Sequence, residues 1–226
     1  MTTDTLPPPA PPFLLAPPGV YRPQHDTRLL ARALRREDLR PGARVLDLGT
    51  GTGALALEAA RLGARVTAVD ISRRAVLTTR LNALLARQRV DVRRADLTAA
   101  VRDSSYDFVI SNPPYVPSPG SALPRRGAAR AWDAGDDGRV FVDRICAAAP
   151  SALRPSGVLL LVHSGLCGVE ATLDALGRAG MSASVVERAS IPFGPVLRSR
   201  LPLLRRAGLL SDEGREELVV VRAEHA

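Results

Sequence analysis

Residues 45–57 read VLDLGTGTGALAL, an apolar run that breaks into three glycines and resumes as a helix former. No other stretch constrains the chain as tightly. A hydrophobic strand that ends in a glycine turn and feeds a helix is the opening unit of an open α/β sheet, whose ligands bind outside the carboxyl ends of the strands. Gly49, Gly51 and Gly53 let the backbone turn sharply and let a ligand approach with no Cβ in the way. Their spacing is GxGxG, whereas a dinucleotide site prefers GxGxxG to seat a pyrophosphate. A smaller anion, such as the carboxylate of an amino-acid moiety, still suits the helix N-terminus that follows.

The rest of the chain alternates in the same sense. Strand-like runs fall at Arg44–Leu48, Arg65–Val69, Val90–Arg93, Tyr106–Ser111, Val158–His163, Ser184–Arg188 and Glu217–Val221. Helical periods lie between most of them. Leu30, Ala33 and Leu34 mark a first helix over Thr27–Glu37, with Asp26 or Thr27 as its cap and Pro41–Gly42 as its stop. Leu77, Leu81, Leu84 and Leu85 mark one face of a second, and Phe141, Ile145, Ala148 and Ala152 one face of a third. The expected fold is therefore α/β: a Rossmann-like, seven-stranded, mostly parallel sheet with helices on both faces. Seven prolines between Leu6 and Pro18 predict a flexible arm over residues 1–19, leaving residues 20–226 as a single domain. The connection from Ser190 to Arg215 is too apolar for a free linker and reads as an extra short helix or a flap.

Three acids sit where a crevice ligand would need them. Asp47 closes the first strand, where it could bond an ammonium. Asp70, seventeen residues after Gly53, ends the second strand, the place from which a carboxylate accepts from both ribose hydroxyls. Asp96 follows the third strand in RRADL, within reach of an adenine amino group. Strand-end aspartates often just cap the next helix. A glycine turn and three such acids converging on one crevice instead describe a nucleoside ligand with an amino-acid tail, which is S-adenosylmethionine.

The fourth strand ends in SNPPYV, residues 111–116. Two prolines hold the backbone extended and supply no amide hydrogen, so carbonyls are left facing outward. The Asn112 side-chain oxygen and the Pro113 carbonyl accept hydrogen bonds, Pro114 stiffens the turn, and Tyr115 offers a flat face. Together they describe a planar NH2 group, an amide or an exocyclic amine, aimed at the methyl of the sulfonium for in-line displacement. No titrating general base is evident beside it.

At this point the chain resembles the class I S-adenosylmethionine-dependent methyltransferases, and within them the HemK/PrmC-like glutamine N5-methyltransferases. DLGTGTG and NPPY carry the resemblance, YRPQHDTRLLARAL is similar to the entry motif of the short, eukaryotic-type release-factor branch, and AWDAGDDGR, residues 131–139, to a family segment downstream. The resemblance implies cofactor contacts from Thr27, Asp47, Gly49, Asp70, Ile71, Asp96, Leu97 and Asn112, a substrate clamp at Asn112, Pro113, Pro114 and Tyr115, and a last strand antiparallel to the others. It also implies a protein substrate, such as a release factor, and a small activator protein. Two departures stand out. The helical N-terminal domain of the bacterial enzymes has no counterpart in the short stretch before the first strand, and His25 stands where the short branch commonly has an acid.

Charge and composition trim the alternatives. The formal charge is +8, yet all 31 basic residues are arginine, which with the abundant Ala, Gly and Pro reads as codon bias rather than as a nucleic-acid footprint. Clusters at Arg125, Arg126 and Arg130, and at Arg198, Arg200, Arg205 and Arg206, still suit an anionic partner. Cys146 and Cys167 lack the paired spacing of a zinc site and are expected as buried free thiols, with no metal bound. No basic segment followed by a long apolar core opens the chain, and runs such as Val158–Val162 are too short to span a bilayer, so the expected location is the cytoplasm. Methylation of a protein glutamine leads. N-methylation of a small metabolite and of adenine N6 in nucleic acid are the alternatives, the last with no obvious room for a target-recognition region.

Overall fold

A computed structural model describes residues 14–97, 106–119, 124, 127–206, 208–210 and 214–226. Seven strands form one sheet: β1 (Arg44–Leu48), β2 (Arg65–Asp70), β3 (Val90–Arg94), β4 (Tyr106–Ser111), β5 (Leu153–Ser164), β6 (Met181–Pro192) and β7 (Arg215–His225). Their order is β3-β2-β1-β4-β5-β7-β6. The first five are mutually parallel, and β7 lies antiparallel between β5 and β6. All seven expected strands are present. The last three run longer than expected: β6 and β7 pair with each other from Met181–His225 to Pro192–Arg215, so polar residues at their ends are held by ladder bonds rather than by burial, while β5 starts early at Leu153, opposite Tyr106.

Side-chain alternation divides the core into two layers. Val45, Val66, Ala68, Phe108, Ile110, Leu160, Leu218 and Val220 face one side, against α1 (His25–Arg36) and α2 (Ala54–Arg61). Leu46, Leu48, Val109, Leu159, Leu161 and Val221 face the other, against α4 (Val140–Ala152) and α5 (Val169–Arg178). Leu30 and Leu34 of α1 are wholly buried, each contributing about 1.5–3 kcal/mol of hydrophobic stabilisation.

Three local expectations change. Helix α1 begins two residues early, with Gln24 at its cap and no side-chain cap bond, because Asp26 is spent elsewhere. It also stops at Arg36, before Pro41. Helix α3 (Arg73–Leu85) buries Ala75, Val76, Thr78, Thr79, Asn82 and Ala83, while Leu77, Leu81, Leu84 and Leu85 lie exposed, Leu84 by 73%. Helix α4 buries Val142, Ile145, Cys146, Ala149 and Ala152, so its inner face is turned by about one residue and Phe141 is left at the site.

The proline-rich arm divides. Residues 1–13 lie outside the described residues, but 14–19 belong to the domain, because Leu15 donates its N–H to Asn82 Oδ1 and accepts from Asn82 Nδ2, both at 2.9 Å. The long connection after β6 folds into two short helices, α6 (Pro195–Ser199) and α7 (Leu201–Arg206), as a flap with its own apolar cluster of Val116, Phe193, Leu197 and Leu204. Both cysteines are buried free thiols. No helix among the described residues is long and apolar enough to cross a membrane, and no group of metal-ligating side chains forms there.

Candidate active site

The carboxyl ends of β1, β2 and β4 open into a cleft of about 1530 Å³. Its wall includes Gly49, Gly51, Asp70, Ile71, Asp96, Leu97, Thr27 and the whole stretch Asn112–Tyr115. The glycine loop is held from below. Asp70 Oδ2 accepts from Gly51 N at 3.0 Å and its Oδ1 from Ser72 N at 2.8 Å. Thr79 donates to Gly51 O at 3.0 Å, and Asn82 Nδ2 to Thr52 O at 2.8 Å. Burial raises the Asp70 carboxyl above its usual range, against those backbone bonds and the Arg130 charge. Each of its oxygens keeps lone-pair capacity for a ribose hydroxyl.

Asp47 lies buried behind the loop, 1% exposed. Its Oδ2 accepts from Thr50 Oγ1 at 2.6 Å, and Oδ1 has no partner. Such a buried orphan oxygen is costly unless a donor arrives. Asp47 itself is not on the cleft wall, which Gly49 and Thr50 form in front of it, so an α-ammonium group would have to reach it past that loop. Burial pushes the Asp47 carboxyl up to about 7, so an incoming cation must displace a proton at lower pH. Cofactor affinity should therefore weaken below pH 7, by up to about tenfold per unit, and Asp47→Asn should bind weakly without that pH dependence; calorimetry from pH 5.5 to 8.5 measures both.

Two cofactor assignments are refined. Gly53 does not line the cleft: it caps α2 with φ +84°, and a Cβ there would stand 2.7 Å from Thr79 Cγ2, so its role is to let α2 and α3 close on each other. Asp96 lies beyond the end of β3 on the cleft wall and is ion-paired with Arg144. An adenine acceptor at Asp96 is thus a carboxylate already turned by an arginine.

Around Asn112 the hydrogen bonds fix a direction. Thr27 Oγ1 lies 3.2 Å from Asp26 Oδ1, which can only accept when ionised. The Thr27 hydroxyl therefore donates to Asp26, and its oxygen accepts from Asn112 Nδ2 at 3.1 Å. Asn112 is left with Oδ1 as the atom offered to an acceptor group. Tyr115 donates its hydroxyl to Asp26 Oδ2 at 2.9 Å, and Tyr21 does the same at 2.6 Å. Burial, with Asp26 beside them, drives both phenols well above their usual range, so both stay protonated donors.

The clamp loop is braced from outside. Val116 N bonds Trp132 O at 2.8 Å and Ala134 N bonds Val116 O at 3.1 Å, so the AWDAGDDGR segment lies alongside NPPYV as a short strand pair. Gly138 has φ +75°, and a Cβ there would lie 2.5 Å from the Tyr115 carbonyl. Cys167 Sγ reaches that same carbonyl at 3.1 Å. From the flap, Arg200 pairs with Asp133 and donates to Pro117 O at 2.7 Å, which removes it from any free basic patch. Arg130 lines the cleft, Arg198, Arg205 and Arg206 are exposed, and Arg125 and Arg126 lie outside the described residues. Sequence reasoning missed Asp26 as more than a cap, and missed Tyr21.

The profile of the methyltransferase small domain family matches residues 14–122. A protein of Methanocaldococcus jannaschii, provisionally named a protein N5-glutamine methyltransferase, is 32% identical over 180 residues, covering 78% of this chain and 88% of that one. The chain belongs to the HemK/PrmC-like class I methyltransferases. Its cofactor is S-adenosylmethionine, and the cleft wall offers it the glycine loop and the strand-end Asp70. The release factor glutamine methyltransferase of Shewanella oneidensis is 36% identical over 149 residues, 62% of this chain but only 52% of the relative, so the chain spans about half of that bacterial enzyme. Among solved structures, the E. cuniculi Mtq2–Trm112 complex responsible for methylation of the eRF1 translation termination factor superposes with a TM-score of 0.63 at 25% identity, covering 92% of this chain and 99% of that one.

Proposed function

We propose that this methyltransferase transfers the S-adenosylmethionine methyl group to the side-chain amide nitrogen of a glutamine in a protein, with a peptide chain release factor as the first candidate. The observation that carries the reading is the orientation of Asn112. With Nδ2 committed to Thr27, Oδ1 and the Pro113 carbonyl are two acceptors for the two hydrogens of a planar NH2 group. Drawing charge out of those N–H bonds makes a poor amide nucleophile less poor, and the rigid prolines hold it in line with the sulfonium. The named activities of the archaeal and bacterial relatives support the same acceptor. The reaction belongs in the cytoplasm, where release factors work.

A small protein partner fits the surface as well as the family. Leu77, Leu81, Leu84 and Leu85 form an exposed stripe on α3, beside the edge strand β3, and the E. cuniculi relative is itself one half of a complex. N-methylation of a small metabolite is the second reading, favoured by the flap, whose residues Gly194–Leu197 roof the cleft.

The test is a labelled methyl-transfer assay offering release factors, total RNA and a small-molecule extract side by side, with Asn112→Ala as control. Label on a release-factor glutamine, absent with the variant, is the expected result. Label confined to RNA adenine or to a low-molecular-weight product overturns it.

A further inference from the structure

The long connection after β6 carries a run of arginines, and one of them turns inward. Arg198, Arg205 and Arg206 are exposed, whereas the Arg200 side chain is 16% exposed and that of its partner Asp133 12%. Arg200 forms the corner between α6 and α7. Its N–H donates to Leu197 O at 3.0 Å, and its own carbonyl accepts from Leu203 N at 2.9 Å and Leu204 N at 3.0 Å. The backbone of that corner fixes where the side chain starts.

The guanidinium ends on two different segments. One terminal nitrogen donates to Pro117 O at 2.7 Å, and the other pairs with Asp133. Pro117 directly follows the Asn112–Val116 stretch, and Asp133 belongs to the AWDAGDDGR segment beside it, bridged to Val116. Arg200 therefore grips both members of the short pair that braces the clamp. A planar guanidinium, with its donors in a fixed fork, serves a carbonyl and a carboxylate at once; an ammonium on a flexible stem is a single point charge.

The grip adds direction to an interface that is otherwise apolar. Phe193, Leu197 and Leu204 of the flap are buried with Val116, and Tyr115, Trp132 and Val196 pack around them. Such contact is non-directional, whereas charge-assisted bonds fix register. Register matters because Gly194–Leu197 line the same cleft as Pro113–Tyr115, Trp132 and Asp133. Arg200 also neutralises Asp133, a carboxylate of the cleft wall whose burial without a cation is costly.

We propose that Arg200 is a positioning residue of the acceptor site: by holding Pro117 and Asp133 together, its guanidinium locks the α6–α7 flap to the clamp and so sets the width of the opening through which the acceptor side chain reaches Asn112. The flap is then a part of the acceptor site with a fixed seat, and Arg200 is the residue that seats it. It acts through the clamp and the flap, not by touching the reacting atoms.

The proposal rests on the glutamine reading only for the acceptor used in the first of two measurements. With the full chain and a release factor as acceptor, Arg200→Ala should lower kcat/KM for the acceptor by roughly ten- to a hundredfold, the scale of misplacing a reacting group by about an ångström. The Kd for S-adenosylmethionine should stay unchanged, because the glycine loop is tied to α3 and its start through Asp70, Thr79 and Asn82, not to the flap. Adding Asp133→Ala to Arg200→Ala should lower kcat/KM no further, since the two side chains act as one unit. Arg200→Lys carries the same test if alanine, which leaves Asp133 buried without its cation, prevents folding: lysine keeps the charge but not the double grip, so its kcat/KM should fall between alanine and wild type. Wild-type kcat/KM in either Arg200 variant would overturn the proposal, as would an equal loss of cofactor affinity, which marks general loosening, or additive losses in the double variant.

The second measurement needs no acceptor. Trp132 is the chain's one tryptophan and packs against the flap cluster, so its fluorescence reports the seat directly. Acrylamide quenching of Trp132 should rise in Arg200→Ala and return toward wild type in Arg200→Lys. A rise in quenching without label on any glutamine leaves the lock standing and sinks the glutamine reading. Quenching that is the same in wild type and Arg200→Ala sinks the lock.

Discussion

Asn112→Ala should lower the single-turnover rate of methyl transfer by roughly 10²- to 10³-fold, the usual cost of removing one preorganised acceptor or donor from the reacting centre. Affinity for S-adenosylmethionine should stay within a few-fold of wild type. The separation is expected because Asn112 works on the acceptor: its Oδ1 takes one of the two amide hydrogens, while its Nδ2 only fixes which way the amide faces. Asn112→Asp is the sharper control. It keeps an oxygen in place, but a carboxylate cannot donate to Thr27, and it would set a second acid close to Asp26. It should therefore lose as much rate as alanine despite its shape. An unchanged rate in either variant at saturating acceptor would remove Asn112 from the chemistry.

The parts of this molecule that were legible in its sequence are those whose physics is local. Seven strands follow from short apolar runs between turn residues, the glycine loop and Asp47 from one strand–turn–helix unit, and Asp70 from the end of the next strand. Helix α3 shows where that logic inverts. Its leucines repeat at helical spacing, as a core face would, yet Thr79 and Asn82 occupy the buried face. They are there because the backbone they pack on is polar: Thr79 bonds Gly51 O, and Asn82 bonds Thr52 O and both backbone groups of Leu15. An irregular loop needs donors and acceptors more than it needs methyl groups.

The role of Asp26 escaped for a different reason. Tyr115 and Asp26 are 89 positions apart, and only the fold brings them to 2.9 Å. Asp26 follows Gln24 and His25 in a stretch that reads as a helix start, so capping was the economical interpretation.

Asp70→Ala should weaken S-adenosylmethionine binding by about 10²-fold or more, because the carboxylate serves two masters. In the ligand-free protein it accepts from Gly51 N and Ser72 N, tying the glycine loop to the start of α3. With cofactor it must also accept from the ribose. Alanine removes the ribose acceptors and leaves two backbone N–H groups to find water at the mouth of the cleft. Charge-assisted bonds of this kind are each worth roughly 1.5–3 kcal/mol, so the loss of even one accounts for about tenfold to a hundredfold. Asp70→Asn separates the two duties. Its one oxygen cannot serve two backbone donors and a ribose, and its NH2 would point a donor at another donor, so its affinity should fall between wild type and alanine. The deficit should be the same for S-adenosylhomocysteine and for adenosine alone, since Asp70 touches only the nucleoside half, while Asp47→Asn should discriminate between them. Calorimetry on the three variants with both ligands reads this directly: equal affinity of wild type and Asp70→Ala for adenosine would place the ribose elsewhere in the cleft.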